Sequence, residues 1–342
     1  ALPKLTKRMR DSFLPMERIP HPKVRSLLEL LGYDSQLLPW LQPSMAWWPQ
    51  KKLWARAEDH PGKVLIFSRF RAVPQAIASL VSYAVESRLF RGNGFSYRDL
   101  TDRRLLQSSP GRNALLGYFH PSPWLIENTD PLECKEHIPS RIRRKLRSQL
   151  ISALSELGIA INHRLRRNRS VWILLSQIEK TAGLWENSIW YWWQVHRQTG
   201  RGGEEQGLGR LLNEWQSQVE TGLDELSGRE LDALVDYAFH SPGVAVGRAL
   251  KRHWPDAVKE NGLYYTLLVS WQGLRNYLDN PLFAATLGGS EDSYPHAIME
   301  AVRDGNLEAV LDEQLWLLRT LHNLTGEELA KELLDGFQLR SG

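Results

Sequence analysis

The chain has 342 residues, 42% hydrophobic and 24% charged, a balance that belongs to a globular protein of one large or two ordinary domains and excludes a disordered chain. No apolar run reaches the roughly 18 to 20 residues that cross a bilayer, and the opening ALPKLTKRMRDSF lacks the apolar core of a signal peptide. The expected setting is therefore the cytoplasm, without a membrane partner, and the single cysteine, Cys134, excludes an internal disulfide and fits a reducing compartment.

The net charge of +4 hides a division. Residues 1 to 200 carry 31 Lys+Arg against 16 Asp+Glu, and residues 201 to 342 carry 12 against 23. The basic part suits a polyanion, and the acidic part does not. Since the sequence opens on Ala1 without an initiator Met, it is expected to be a piece of a longer protein.

In chain order, residues 1–60 are interrupted by Pro3, Pro15, Pro20, Pro22, Pro39, Pro43 and Pro49, which predicts a Pro-rich arm or connector. One helix fits there, over KVRSLLELL, closed by Gly32. Residues 61–139 read as a partial α/β unit with an irregular connection. In it KVLIFS (63–68) has the pattern of a parallel strand buried on both faces. A helix follows, with Pro74 in its first turn and Ile77, Leu80, Val81, Ala84 and Val85 at helical spacing.

Residues 140–342 read as an all-helical domain. Helices are predicted at 140–157, 169–182, 186–198, 208–220, 228–239, 244–252, 263–278, 294–303 and 307–321. The fold class is thus mostly α with a small α/β portion.

Two groups of residues point to polyanion chemistry. A strand over 63–68 would place Ser68, Arg69 and Arg71 at its carboxyl end, beside a helix N-terminus whose free N–H groups suit phosphate. In SRIRRKLRSQLISALSELG, Ile142, Leu146, Leu150 and Leu154 form one apolar stripe, which sends most of Arg141, Arg143, Arg144, Lys145 and Arg147 elsewhere on the helix. A second cluster, Arg164, Arg166, Arg167 and Arg169 after His163, follows a short turn. Nine Lys/Arg within 141–169 face only Glu156 in local sequence, so both clusters are expected to contact a DNA or RNA backbone.

The stretch GKVLIFSRF…AIASLVSYAV resembles the fourth helicase motif, which opens the second RecA-like lobe of superfamily-2 DNA translocases, Swi/Snf-like proteins among them. HSPGVAVGRALKR (240–252) and DGNLEAVLDEQLWLLR (304–319) are similar to segments of large bacterial helicase-related proteins. The resemblance implies a partial RecA-like β-α unit followed by a long helical insertion, with the remaining helicase lobes as partners. It also implies ATP and Mg²⁺ for the parent protein, and DNA processing or defence against foreign DNA as its setting.

The chain departs from a complete motor. It has no GxxxxGK[ST] loop, so no cofactor is expected within it and no catalytic residue is assigned. Asp224-Glu225 and Asp312-Glu313 read as solvated acidic helix faces. Gln206 to Arg210 fits the QxxGR core of the sixth helicase motif but lacks its second arginine, and it reads as coincidence.

Cys134-x-x-His137 is half a zinc site, so no metal is expected. Among the 14 tryptophans, Trp185 and Trp192 or Trp193 recur with Ile189 and His196 at helical spacing and read as helix core, and the exposure of Trp47 and Trp48 stays open. The competing reading is a helical interaction scaffold whose acidic C-terminal helices dock a protein partner and which has no role with nucleic acid. A Trp-rich carbohydrate enzyme would need a facing carboxylate pair that nothing singles out.

Overall fold

A computed structural model describes residues 6–13, 15, 18, 21–57, 64–91, 120–185, 219, 222–254, 277–278, 281–288, 293–322 and 328. The helices are α1 (Lys7–Asp11), α2 (Pro22–Leu31), α3 (Tyr33–Gln36), α4 (Leu53–Ala57), α5 (Ala72–Phe90), α6 (Pro123–Asn128) and α7 (Pro139–Glu156). Strand β1 (Ala160–Asn162) precedes α8 (Val171–Thr181), and β2 (Glu225–Ser227) precedes α9 (Gly228–His240), α10 (Pro242–His253), α11 (Pro281–Leu287), α12 (Tyr294–Asp304) and α13 (Leu307–His322). The described residues are mostly helical with a small parallel sheet. No helix among them is long and apolar enough to cross a membrane.

Contacts divide the chain into two compact units. The first comprises Ala1–Gln42, Gln50–Leu105 and Asp279–Tyr294. His21 caps α2 by accepting from the Val24 N–H, and Gly32, at φ 68°, ends it as the sequence predicts. Val24 and Leu28 of α2 pack on Ala84, with Leu80 and Val81 beside them on α5. Trp54 stacks against Trp40 at 4.9 Å and donates its indole N–H to the Trp40 carbonyl, which satisfies the polar edge of a buried ring.

Residues 64–68 differ from the predicted strand. They carry no strand, with Leu65 82% and Phe67 90% exposed. A strand exists only where a neighbour takes up its N–H and C=O groups, and among the described residues no segment pairs with this one. The following helix does form, as α5. Its local 3.6-residue pattern is enough for that.

The second unit comprises Pro43–Pro49, Leu106–Leu278 and Pro295–Gly342. The α7 stripe is core: Ile142, Leu146, Leu150 and Leu154 are all buried, each contributing roughly 1.5–3 kcal/mol of transfer free energy. That stripe packs on α9, whose Leu231, Leu234, Val235 and Ala238 are buried. Helix α10 is covered by α6 and α13. Its Val244, Ala245, Ala249 and Leu250 face no solvent.

The predicted helices at 140–157, 169–182, 228–239, 244–252, 294–303 and 307–321 form within one or two residues of those bounds. Those at 186–198 and, apart from residue 219, 208–220, the first part of 263–278, and the Gln206–Arg210 segment lie outside the described residues. The parallel sheet lies in the region read as wholly helical. β1 and β2 pair with Ala160 opposite Glu225 and Asn162 opposite Ser227.

The segment 43–49 is pinned to α12 and α13. Asn306, at φ 51°, accepts from the N–H groups of Trp47 (2.9 Å) and Trp48 (3.1 Å) and donates to the Trp48 carbonyl. Asparagine tolerates this left-handed backbone better than most side chains, and its amide replaces a strand partner for the segment. Trp48 is buried, donates its indole N–H to the Arg303 carbonyl (2.7 Å) and meets Phe239 edge-on at 5.2 Å.

Candidate nucleic-acid interface

Both strands of the parallel pair end at the same edge, because Asn162 and Ser227 are opposite one another. The chain leaves β1 into loop 163–170 and leaves β2 directly into α9. Ser227 caps α9 in a reciprocal box: its hydroxyl accepts from the Glu230 N–H, and the Glu230 carboxylate accepts from the Ser227 N–H.

The loop is tied to that cap. Ser227 Oγ donates to the Arg167 carbonyl (2.8 Å), and Asn162 Oδ1 accepts from the Arg164 N–H (3.0 Å). The His163 ring lies over Gly228, where an added Cβ would come within 2.8 Å of His163 Nδ1. Glycine at 228 is therefore what lets the loop approach the helix start.

Arg169 anchors the loop from below. Its backbone N–H and Nε donate to Glu230 Oε1 (3.0 and 2.8 Å) and its Nη2 to Glu230 Oε2 (3.1 Å). It also bonds Gln177 and the Glu225 carbonyl. Of the predicted contact residues, Arg169 is thus committed internally and orients the others.

Arg164, Arg166 and Arg167 remain exposed on the loop, with the exposed Arg229 on the first turn of α9. Among the described residues no carboxylate pairs with these four guanidinium groups, while Glu225 is engaged by Asn162 (3.1 Å). Arg229 was missed by the sequence reading, since it lies 60 residues beyond the basic cluster and in the acidic part of the chain. Only the pairing of β1 with β2 brings it to the loop.

The α7 cluster separates into two sets. Arg143 grips Asp236 through Nε and Nη2 (2.7 and 3.2 Å), and Arg147 pairs with Asp232, so both staple α7 to α9. Arg141 meets Glu136 at 3.2 Å and Lys145 meets Glu133 at 3.2 Å, both on the exposed side. Arg144 is exposed without an ion pair among the described residues.

In the first unit, Ser68 Oγ accepts from the Phe70 N–H (3.1 Å) and Arg69 lies over the Phe70 ring at 5.2 Å. Arg71 is the residue before α5 and makes no side-chain cap. The three predicted contact residues there are exposed on a turn rather than at a strand end.

Of the acidic pairs read as solvated helix faces, Asp224 is exposed and Glu225 lies on β2, whereas Asp312 and Glu313 are engaged. Glu313 accepts from the N–H and hydroxyl of Ser44, and Asp312 accepts from Arg252 (3.1 Å) with His253 at 3.1 Å. Trp185 is buried, as read from the sequence, while 190–193 lie outside the described residues. Cys134 donates its thiol to the Glu136 carbonyl (3.2 Å).

A Ser-His-Glu set also exists, at Ser122, His120 and Glu179. It does not have the order of a nucleophile relay: the Ser122 hydroxyl and His120 Nε2 both address the carboxylate (2.6 and 3.1 Å), and all three side chains are buried away from any substrate.

Two titrations in this unit set an acid limit. Burial pushes the Glu230 carboxyl up, but the bonds from Arg169 and from the Ser227 and Arg169 N–H groups outweigh it and hold the group at about 2 against an ordinary 4.5. Burial, with Arg303 adding to it and Asp236 and Asp304 opposing, pushes the His240 imidazole down to about 4 from 6.5.

A depressed carboxyl contributes stability above pH 4.5 that is lost as pH falls toward 2. A depressed imidazole leaves stability whole above 6.5 and erodes it as pH falls toward 4. Urea unfolding at pH 7, 5 and 3 is expected to show both losses, about 3 kcal/mol for His240 over the whole range and about 2 kcal/mol for Glu230 by pH 3. Glu230→Gln removes the lower window and His240→Gln the upper one. A stability flat between pH 7 and 4 contradicts the assignment to His240.

Compared with protein-family models, curated proteins and solved structures, the chain matches none.

Proposed function

We propose that this chain is the nucleic-acid-contacting portion of an ATP-dependent DNA helicase or translocase, and that its own part in the reaction is to hold the phosphate backbone. The observation that carries this reading is the group of four exposed arginines, Arg164, Arg166, Arg167 and Arg229, at the carboxyl ends of two parallel strands. Open parallel sheets use that edge for ligands, and guanidinium groups without carboxylate partners release counterions from a phosphate chain.

The translocase parentage rests on the sequence resemblance of GKVLIFSRF…AIASLVSYAV alone; α5 forms over its second part, while residues 64–68 carry no strand. ATP and Mg²⁺ enter through the remaining lobes, since this chain holds no phosphate loop.

Fluorescence anisotropy with labelled single- and double-stranded DNA and with RNA, over about 50 to 300 mM salt, tests the reading. The expected result is a log-log salt slope of roughly 0.9 per neutralised phosphate for duplex DNA. Replacing the four arginines by glutamine is expected to lower that slope by about 3 and the affinity by at least about 100-fold. Absent or salt-insensitive binding refutes it.

A second reading is the interaction scaffold. It is favoured by Trp316 (52%) and Leu321 (70%), large apolar side chains exposed on α13. It predicts DNA binding that is absent or insensitive to salt.

A further inference from the structure

Helix α7 presents Arg141, Arg144, Lys145 and Ser148 at positions i, i+3, i+4 and i+7, one continuous face beside its buried stripe. Segment 134–136 runs along that face, and the two border a shallow, open groove of about 320 Å³ lined by Cys134, Lys135, Glu136, Arg141, Arg144, Lys145 and Ser148. Four cations and one carboxylate thus share a concave surface.

We infer that this groove is a second phosphate subsite, which seats one phosphate of a nucleic-acid backbone against Arg144, Lys135 and Ser148. The inference rests on the nucleic-acid reading but uses residues separate from the strand-end arginines.

Three features favour a phosphate here over a merely solvated helix face. Arg143 and Arg147, on the neighbouring face of α7, are already spent on Asp236 and Asp232, so the helix needs no further cations to hold it in place. Arg144 and Lys135 are exposed without ion pairs among the described residues. The two pairs at the rim, Arg141 with Glu136 and Lys145 with Glu133, are about half exposed on both partners. Such pairs are weak and open readily when the anionic oxygens of a phosphate compete for the guanidinium or the ammonium. Ser148 adds a neutral hydroxyl donor at the end of the same face.

Cys134, the only cysteine in the chain, lines the groove and reports its occupancy. The experiment measures the rate of Cys134 alkylation by iodoacetamide, a neutral reagent, with and without saturating duplex DNA, and repeats it with inorganic pyrophosphate. DNA is expected to slow alkylation at least about fivefold. Arg144→Glu is expected to abolish that protection and to lower the DNA salt slope by about one unit. Arg166→Gln is expected to weaken DNA binding while leaving protection at saturation intact.

If DNA binds with Cys134 unprotected and Arg144→Glu leaves the slope unchanged, the groove inference falls and the strand-end interface stands. If DNA does not bind, the nucleic-acid reading falls. Pyrophosphate then decides the groove: protection that is lost in Arg144→Glu supports phosphate recognition by these residues, and no protection overturns it.

Discussion

Glu308→Ala is expected to lower the stability of the second unit by about 3–5 kcal/mol, the cost of leaving buried cations uncompensated. Glu308 is 2% exposed and accepts from Arg248 Nε at 2.9 Å and Nη2 at 2.5 Å, and from Arg252 Nη2 at 2.5 Å. Burial pushes its carboxyl up, yet the two guanidinium groups outweigh that and keep it below the ordinary range. Arg248 is equally enclosed, its Nη1 donating to Thr129 Oγ1 (3.0 Å) and the Ala238 carbonyl (2.8 Å).

One carboxylate therefore joins α10 to α13 through two arginines, and Arg252 goes on to Asp312. Removing Glu308 leaves Arg248 with charge and no counterion in a site closed to water. Hydrogen exchange of the α10 and α13 amides reads the loss in this unit alone. The paired change Arg248→Met with Glu308→Leu is expected to recover most of it, because both charges leave together. A single-variant loss under about 1 kcal/mol contradicts the account.

The second large effect is at Glu179→Ala, also expected at about 3–5 kcal/mol. Glu179 on α8 is fully buried and takes His120 Nε2 at 3.1 and 3.2 Å on its two oxygens and the Ser122 hydroxyl at 2.6 Å. Ser122 at the same time caps α6 by accepting from the Leu125 N–H, and Tyr237 of α9 donates to the His120 carbonyl (2.8 Å). One carboxylate thus fixes the chain entering α6 against α8, with α9 closing over it.

Alanine removes the acceptor of two buried donors and opens a cavity. Glu179→Gln keeps the volume and one acceptor, so it is expected to cost less than half as much. Thermal unfolding of the two variants is the check. Equal losses would mean that packing, and not the carboxylate, holds the site.

The two carboxylates explain why the helices were easier to read than the site. The stripe Ile142, Leu146, Leu150 and Leu154 repeats within one helix, and its burial follows from spacing alone. The strands AIN and ELS have three residues each and no alternation, so nothing local marks them. KVLIFS has the composition of a buried strand, yet its described residues 64–68 carry none, because composition cannot supply a hydrogen-bonding neighbour.

The sequence by itself determined the mostly helical class, the core face of α7, the end of α2 at Gly32 and the concentration of positive charge in the first 200 residues. These depend on neighbours within a few positions, where periodicity and backbone preference act. Only the tertiary structure decided which cations face solvent. Arg143, Arg147 and Arg169 are matched by Asp236, Asp232 and Glu230, 61 to 93 residues away, while Arg229 is carried to the loop of Arg164, Arg166 and Arg167. Charge neutralisation acts through space at a few ångströms, and chain folding alone sets which groups come that close.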